Sequence, residues 1–475
     1  GGNGEDVITS VASDSAGNIY VGGFTASAAS QPFPVNANAM DPAYGGGYDA
    51  FLTKLNSTGS QILFSTYLGG SGWDGINTLL LDAAGNIYAG GTTRSRAFPT
   101  TPNAYSQTAS ETGVGFLLKM SPDGSQLLYS TLLPAGLQTF ELDAAGNAYI
   151  VANTYLSDLP TTPGAYAARS AGDRDVYLCK LNSSGTALIY ATYFGGASSD
   201  EALALTIDPT GAAIFGGRTR SGDLPKTSGV LGPPAGDAFL AKLTPQGTAL
   251  TFSTYFGGAG RDEITGIVLD ANGNLVLTGS TESPDLPVTA NALSGYSANG
   301  DPFLIVLSGD AANLVYGTYL GGTWIDSAAG VRVDSAGNII VVGTTSSPSF
   351  PVTQDALLPE PLWHTNAPFL LIVDPAWKLK YSTLFYAPGS TTATGLTLVR
   401  DQAVAIVGFT RSPHFPVSPN AVQPSYVEAG MWDGFVSVIS LRDTCPFKVT
   451  PGAIAAPVGG PSVELSLPHH AGCAC

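Results

Sequence analysis

The chain repeats one unit along most of its length, and this repeat limits its fold more than any other feature. The clearest marker is a turn of the form Asp-x-x-Gly-Asn, which follows one apolar segment and precedes another. Clear copies begin at Asp14, Asp82, Asp143 and Asp334, looser ones at Asp208 and Asp270, and a seventh copy around Asp401 lacks the glycine. A fixed period of this length is typical of propellers and solenoids.

A second marker, Phe or Leu directly before Pro, has the same period. It occurs at Phe33-Pro34, Phe98-Pro99, Leu159-Pro160, Leu224-Pro225, Leu286-Pro287, Phe350-Pro351 and Phe415-Pro416. The spacings run from 61 to 65 residues. Two independent markers therefore agree on seven units.

Each unit reads as four short strands, which we name A to D in chain order. Strand A at 76–82 and strand B at 86–91 flank the Asp-x-x-Gly-Asn turn, and a Pro-rich loop precedes the next strand C. In the preceding unit, strand C spans 49–55 and strand D spans 61–68, and both alternate apolar and polar residues. The pattern predicts an all-β fold, a seven-bladed β-propeller of four-stranded antiparallel blades over residues 1–441.

Four segments of the repeat resemble a known family. They are Asp-Ala-Phe-Leu-Thr-Lys-Leu-Asn at 49–56, Phe-Ser-Thr-Tyr-Leu-Gly-Gly at 64–70, Asp-Ala-Ala-Gly-Asn-Ile-Tyr at 82–88 and Phe-Pro-Thr-Thr-Pro at 98–102. Together they look like the SBBP-type β-propeller repeat of secreted bacterial proteins. The resemblance implies a propeller in a secreted, extracellular or cell-surface protein. It implies no activity, because that family is defined by its repeat and shares no catalytic motif.

The phase of the repeat predicts an incomplete seventh blade. Gly1-Gly2 aligns with Gly69-Gly70, which follow strand D, and strand D occurs six times for seven copies of strands A, B and C. The last strand C, at 434–441, is therefore predicted to lack its own outer strand. Three explanations remain open: the chain is part of a longer protein, residues 446–467 fold back onto the edge, or another molecule supplies a strand by β-augmentation.

Residues 442–475 differ from the repeat and resemble the opening of a BACON-type immunoglobulin-like domain. The resemblance rests on Cys445, on a Gly-Gly turn before a strand, and on a Gly-Cys-Ala sequence at 472–474. Cys475 stands where that family has Trp, and most of such a domain is not present. We expect a short β-rich tail with a truncated domain of this type.

The tail also holds three of the four cysteines. Cys445 and Cys473 are candidates for a disulfide that would stabilise a segment too short to build a core, which leaves Cys475 as a spare thiol. Zinc bound with His469 and His470 is the alternative, although no Cys-x-x-Cys spacing supports it. Disulfide formation fits a secreted protein.

The charge of the chain disfavours two classes of partner. There are 19 Lys and Arg residues against 36 Asp and Glu residues, which gives a net charge of −17. Such a chain repels nucleic acid and anionic membranes. No apolar stretch in the sequence is long enough to span a bilayer.

The loops between strand D of one blade and strand A of the next, the D–A loops, carry an aligned carboxylate. It is present in five units as Asp6, Asp74, Asp200, Asp262 and Asp326. A partial ring of carboxylates near the propeller axis would be a weak candidate site for Ca²⁺, and no other cofactor is expected. The structural alternative is that each Asp accepts backbone N–H bonds within its own loop.

Aromatic residues mark the same face as a candidate binding surface. Trp73 and Trp324 lie in D–A loops, and Trp363 and His364 lie in an enlarged loop between strands B and C. An aromatic ring beside a polar group can stack on a sugar, so these residues are candidates for glycan binding.

The sequence thus favours a non-enzymatic, secreted scaffold or binding protein. The sharper form of this prediction is a subunit of an extracellular assembly, with a protein partner or self-association at the open edge of blade 7 and the tail. A carbohydrate-binding propeller is the alternative. A propeller lyase or hydrolase is a further alternative, which the small number of His and Lys residues disfavours.

Overall fold

The computed structural model describes residues 1–441 apart from 28–31, 37–38, 109–112, 234–235, 298, 359–365, 386–388 and 427–430. The described chain forms seven antiparallel sheets, each built from strands that follow one another in the sequence. The sheets pack face to face around an axis, and the predicted seven-bladed β-propeller is confirmed. Cys445, Cys473, Cys475 and the predicted immunoglobulin-like segment lie outside the described residues.

The first two strands of each blade form a hairpin. Strands A are β1 Asp6–Ser13, β5 Asp74–Leu81, β9 Leu137–Leu142, β13 Asp200–Ile207, β17 Asp262–Leu269, β21 Asp326–Val333 and β25 Thr391–Val399. Strands B are β2 Ile19–Thr25, β6 Ile87–Thr93, β10 Ala148–Thr154, β14 Ala213–Thr219, β18 Leu275–Thr281, β22 Ile339–Thr345 and β26 Ala403–Thr410.

The last two strands form the outer half of each blade. Strands C are β3 Asp49–Leu55, β7 Val114–Met120, β11 Asp175–Leu181, β15 Ala238–Leu243, β19 Asp301–Leu307, β23 Ala367–Val373 and β27 Asp433–Ser440. Strands D are β4 Ile62–Leu68, β8 Leu127–Leu133, β12 Leu188–Phe194, β16 Leu250–Phe256, β20 Leu314–Tyr319 and β24 Leu379–Leu384. Among the described residues, six blades thus have four strands and blade 7 has three.

The strands A line the axis and close the ring. Consecutive strands A contact one another around the ring, including β25 of blade 7 and β1 of blade 1. The hydroxyl of Thr394 donates to the Ile8 carbonyl at 2.7 Å, and that of Ser13 donates to the Leu398 carbonyl at 2.6 Å. Blades 1 and 7 are therefore held together by side-by-side packing.

The Asp-x-x-Gly-Asn turn builds the hairpin from its own side chains. The carboxylate of Asp82 accepts the backbone N–H of Asn86 at 2.9 Å and its side-chain amide at 2.8 Å. Gly85 has a φ of 80°, which is the left-handed region that favours glycine. The ammonium of Lys119 on strand C pairs with Asp82 at 3.0 Å, so the turn is also tied to the outer half of its blade.

Strand A begins earlier than the sequence pattern predicts. The prediction was 76–82, whereas β5 spans Asp74–Leu81. A register shift between Ile76 and Thr78 lets Asp74 and Gly75 continue the pairing with strand B. Such a bulge breaks the simple alternation of apolar residues, and this is why the pattern does not show it.

The core lies between neighbouring blades. Strand B is buried on both faces because blades pack against it from either side. Close approach explains the glycines of this strand, since a Cβ at Gly23 would lie only 1.9 Å from the Val7 carbonyl oxygen. In the part of the chain that the structure describes, no helix is long and apolar enough to cross a membrane.

Candidate functional site

The D–A loops and the loops between strands B and C, the B–C loops, lie on one face of the propeller. Tyr48 at the end of one B–C loop forms a parallel bridge with Trp73 in the following D–A loop. The amide of Asp74 donates to the Tyr48 carbonyl at 2.7 Å, and the amide of Arg94 donates to the Trp73 carbonyl at 2.8 Å. Each D–A loop is thus held between the B–C loops of two blades, at what we call a blade junction.

Asp74 shows how the predicted loop carboxylates are placed. Its Oδ2 accepts the amide of Gly70 at 2.9 Å and the hydroxyl of Ser95 at 2.6 Å, and its Oδ1 accepts the hydroxyl of Thr93. The Ser95 hydroxyl in turn accepts the amide of Gly72 at 2.8 Å. The buried carboxylate therefore caps its own loop, which is the structural role that Asp often has in turns.

The other four carboxylates of this set repeat the arrangement. Each accepts the amide of the residue four positions earlier: Gly2 for Asp6 at 2.6 Å, Gly196 for Asp200 at 2.7 Å, Gly258 for Asp262 at 2.8 Å and Gly322 for Asp326 at 2.6 Å. The five carboxylates lie at separate junctions. Among the described residues, no three Asp, Glu, His or Cys side chains come together as a metal site would require.

Each of these carboxylates is paired with a second Asp, at the start of strand C in the preceding blade. The pairs are Asp49 with Asp74, Asp175 with Asp200, Asp237 with Asp262, Asp301 with Asp326, and Asp433 with Asp6. In the sequence, the second Asp begins Asp-Ala-Phe-Leu at Asp49 and Asp237 and a related segment in the other three blades. Its position opposite the first Asp becomes visible only when the blades are arranged in the ring.

The two carboxylates of a pair occur together or not at all. At the junction of blades 2 and 3, the equivalent residues are Val114 and Ala135, and neither is acidic. At the junction of blades 6 and 7 they are Ala367 and Thr391. Two independent loop caps would not vary together in this way, so the pair behaves as one unit.

A glycine lies between the two carboxylates of a pair. A Cβ at Gly195, the first glycine after strand D, would lie 2.3 Å from Oδ1 of Asp175 and 2.9 Å from Oδ2 of Asp200. The two oxygens are therefore within about 5 Å of each other, a range in which like charges affect each other's pKa. Any side chain at this position would collide with both carboxylates.

Burial and like charge raise the pKa values of several carboxyls in these pairs. The pKa of Asp49 is raised to about 6, mainly by burial and also by the nearby carboxylates of Asp74 and Asp41, against the hydrogen bond from Gly45 that lowers it. Burial is also the main cause that raises the pKa of Asp200 and Asp326, with their paired carboxylates contributing. Each pair thus concentrates negative charge in a confined space.

The predicted aromatic residues lie apart from one another on this face. The ring of Trp73 contacts Phe24, with centroids 5.8 Å apart, and Phe24 contacts Tyr48 at 5.7 Å. Trp324 is half-buried, and its amide donates to the Ser347 hydroxyl at 2.7 Å. Trp363 and His364 lie outside the described residues. Glycan binding by these residues stays a prediction.

A cavity separates blade 7 from blade 1 at the outer side of strand β27. Its volume is about 460 Å³. Blade 1 contributes Leu55 and Gly59 to its lining, and blade 7 contributes Phe435 and Val438. In the other blades this position, between strand C of one blade and the next blade, is filled by strand D. The cavity thus coincides with the outer strand that the repeat phase predicts to be missing.

The sequence profile of one family, described as a beta-propeller repeat and abbreviated SBBP, matches residues 251–287. These residues are similar to one copy of that repeat. The match supports the propeller prediction, and it covers strands β16 to β18 with the loop that follows. The comparison with curated proteins found no match.

Several solved structures are similar in shape. They include a chain of the mitotic checkpoint complex (7% identity, TM-score 0.45, 85% of this chain and 88% of that chain covered). The Pan2 WD40 domain of Neurospora crassa has 10% identity and a TM-score of 0.43, with 85% and 86% covered. The polysaccharide lyase Uly1 has 9% identity and a TM-score of 0.45, with 91% and 90% covered.

Proposed function

We propose that the protein is a non-enzymatic, secreted scaffold that binds a β-strand of a protein partner at the outer edge of blade 7. The observation that carries the proposal is the three-stranded blade 7 beside a cavity at the position of strand D. An exposed sheet edge is a template for an added strand, and β-augmentation is a common mode of peptide recognition.

Among the described residues, no strand pairs with the outer edge of β27 between Gly434 and Ile439. In blade 1, strand C pairs with strand B on one side and with strand D on the other, as in the contact of Phe51 with Tyr67. Within the described residues, β27 pairs only with β26, from Asp433 to Ser440. An incoming strand would complete this edge with main-chain hydrogen bonds.

The side-chain lining has a specific gap for an aromatic residue. In three blades, an aromatic ring of strand D packs on the turn glycine between strands C and D of the next blade. A Cβ at the glycine would lie 2.8 Å from the ring for Phe64 on Gly124, 2.5 Å for Tyr129 on Gly185 and 2.4 Å for Tyr190 on Gly247. The corresponding glycine of blade 1 is Gly59, and no atom of the described residues lies within 4 Å of its Cβ position.

The position of Gly1 indicates how the strand would lie. The amide of Gly2 donates to Asp6 as the amide of Gly70 donates to Asp74, so Gly1 is equivalent to Gly69, which directly follows strand D. Gly1 also lines the cavity. A strand antiparallel to β27 would therefore end beside Gly1.

The six existing strands D define the partner sequence. All of them share a seven-residue pattern, as at 62–68 and 188–194. The first position is Leu or Ile, the second is any residue, the third is Phe or Tyr and the fourth is a small residue. The fifth position is Thr, the sixth is Tyr or Leu, and the seventh is Leu or Phe. Residues 442–475 contain no Phe or Tyr followed by a small residue and Thr. This difference disfavours the tail as the source of the added strand.

The non-enzymatic and secreted parts of the proposal have their own support. The carboxylates of the loop face are engaged in capping bonds, and so are the serines that contact them, such as Ser95 and Ser221. These side chains therefore stabilise the conformation of the loops. The resemblance to repeats of secreted bacterial proteins supports an extracellular location.

A labelled peptide with the sequence of residues 61–70 tests the proposal against two chains, the full chain and a chain that ends at Leu441. We expect the fluorescence anisotropy of the peptide to rise with either chain and to indicate one bound peptide per chain. A control peptide with Phe64→Ser and Thr66→Asp should bind to neither chain. Binding by the shortened chain alone would show that the tail fills the edge and would contradict the proposal. Absence of binding by both chains would contradict it as well.

A further inference from the structure

Three buried carboxylate oxygens of the loop face have no hydrogen-bond partner among the described residues. They are Oδ1 of Asp49, Asp175 and Asp326, on residues that are 1%, 0% and 2% exposed. Asp49 and Asp175 are the strand C members of the carboxylate pairs at the junctions of blades 1 and 2 and of blades 3 and 4, whereas Asp326 is the strand A member at the junction of blades 5 and 6. A buried charged oxygen without a partner is costly, so its occurrence at equivalent positions of two blades points to a ligand.

The unpartnered oxygen of Asp175 lies close to the second carboxylate of its pair. The Gly195 position between Oδ1 of Asp175 and Oδ2 of Asp200 shows that these atoms face a common space. The second carboxylate has capacity left: Asp74 accepts three donors, whereas an ionised carboxylate has about four acceptor sites. Each pair thus presents two carboxylates with free acceptor sites to one space.

The junction of blades 5 and 6 shows what can fill that space. There the amide of Ser297 donates to Oδ2 of Asp301 at 2.8 Å, and its hydroxyl donates to Oδ1 at 2.7 Å. The same hydroxyl contacts the Gly322 carbonyl oxygen. Oδ1 of Asp301 is therefore satisfied by a side chain of its own loop.

The two junctions at which Oδ1 of the strand C carboxylate is unpartnered lack this hydroxyl. Gly45 and Ala171 take the position of Ser297, because their amides donate to Asp49 at 2.5 Å and to Asp175 at 2.6 Å. The Ser170 hydroxyl donates to Oδ2 of Asp175 at 2.7 Å and leaves Oδ1 open. A Cβ at Gly45 would lie 2.2 Å from the Gly70 carbonyl oxygen, so this carbonyl borders the same space. Where no hydroxyl reaches Oδ1, the site offers two carboxylates and a neighbouring backbone carbonyl.

This donor set suits a hard divalent cation. All donors are oxygens, the two carboxylates carry opposite charge to the ion, and Ca²⁺ accepts carboxylates, backbone carbonyls and water in irregular geometry. The fold itself does not need the pair, since Val114 and Ala135 build the equivalent junction without any charge. A cation bound between the two carboxylates would therefore explain why two like charges lie together.

We propose that Ca²⁺ binds at two blade junctions, between Asp49 and Asp74 and between Asp175 and Asp200. These sites differ from a ring around the propeller axis, because each joins the last loop of one blade to the first loop of the next. Each bound ion would link two neighbouring blades.

The full chain, stripped of metal with EDTA and dialysed, tests the proposal by titration with CaCl₂ at pH 7.5. We expect calorimetry to give two Ca²⁺ ions per chain and the Tm to rise by several degrees, with EDTA reversing the shift. An unchanged Tm together with no bound Ca²⁺ would overturn the proposal. A Tm that rises on acidification and ignores Ca²⁺ would show a shared proton between the carboxylates, and would overturn it as well.

Matched variants assign the sites. The double variant Asp49→Val with Asp74→Ala copies the natural neutral junction and should lower the stoichiometry from two to one. Ala171→Ser supplies the hydroxyl found at Ser297 and should abolish the other site. Ser297→Ala removes that hydroxyl and should create a third site. A stoichiometry that stays at two in all three variants would show that Ca²⁺ binds elsewhere and would contradict the assignment.

Discussion

Asp175 and Asp200 face each other across the junction of blades 3 and 4, with Gly195 between their carboxylates. The first residue belongs to strand C of one blade and the second to strand A of the next. The same relationship recurs at four more junctions and is replaced by a neutral pair at the remaining two. The loop face is thus built from linked acidic pairs.

Gly195 should tolerate no side chain. We expect Gly195→Ala to lower the free energy of unfolding by about 2 kcal/mol or more, because its Cβ would overlap both carboxylates. Urea unfolding followed by tryptophan fluorescence measures the change. Gly222→Ala is the matched control, since no atom lies within 4 Å of that Cβ position, and it should change stability by less than about 0.5 kcal/mol. Equal effects of the two substitutions would contradict this account.

Ser95 should contribute to stability through two bonds at once. Its buried hydroxyl donates to Asp74 and accepts from Gly72, so Ser95→Ala leaves both groups without this partner. We expect a loss of about 1–3 kcal/mol in chemical denaturation. Ser184→Ala, at an exposed turn serine, is the control and should be nearly neutral. A neutral Ser95→Ala variant would show that the cap is dispensable.

The hairpin of blade 7 should be improved by glycine. Arg400 and Asp401 have φ values of 53° and 51°, in the left-handed region, where the other hairpins have glycine. We expect Asp401→Gly to raise the Tm, with a gain of about 0.4–1 kcal/mol from relieved strain. The reverse change, Gly17→Ala at a φ of 79°, should destabilise blade 1. A lower Tm for Asp401→Gly would contradict the strain argument.

Glu141 should make stability depend on pH. Burial raises the pKa of Glu141 from its usual value of 4.5 to about 7, and the charge of Arg332 only partly opposes this. The folded chain therefore holds the proton more tightly than the unfolded chain, so stability falls as the pH rises from about 4.5 to 7 and this contribution stays lost above pH 7. Comparison of Tm values from pH 5 to 8 for the wild type and Glu141→Gln measures the effect. Parallel profiles would contradict it.

Much of the fold could be predicted from the sequence because the repeat records it many times. Strand C of blade 1 was predicted at 49–55 and found at Asp49–Leu55, since its ends are marked by an Asp and by a turn. The bulge after Ile76 was missed because it disturbs the alternation of apolar residues. Within the described residues blade 7 has three strands, and the phase of the repeat indicates this difference by counting alone.

The candidate site was less accessible to sequence reasoning. Asp74 was found because it recurs at a fixed position, but its partner Asp49 lies 25 residues away in another blade, and no local pattern connects the two. Their relationship depends on the curvature that brings consecutive blades together. The B–C loop of blade 3 illustrates the same limit, because Leu156, two residues after Thr154, takes the position at which blade 2 has the capping serine Ser95.

Hydrogen exchange at β27 tests the central claim most directly. In the full chain without a partner, we expect alternate amides from Gly434 to Ile439 to exchange rapidly, because only β26 pairs with this strand among the described residues. Addition of the peptide with the sequence of residues 61–70 should protect them to the level of strand β3. Protection of all β27 amides in the isolated full chain, unchanged by the peptide, would contradict binding of a partner strand at blade 7.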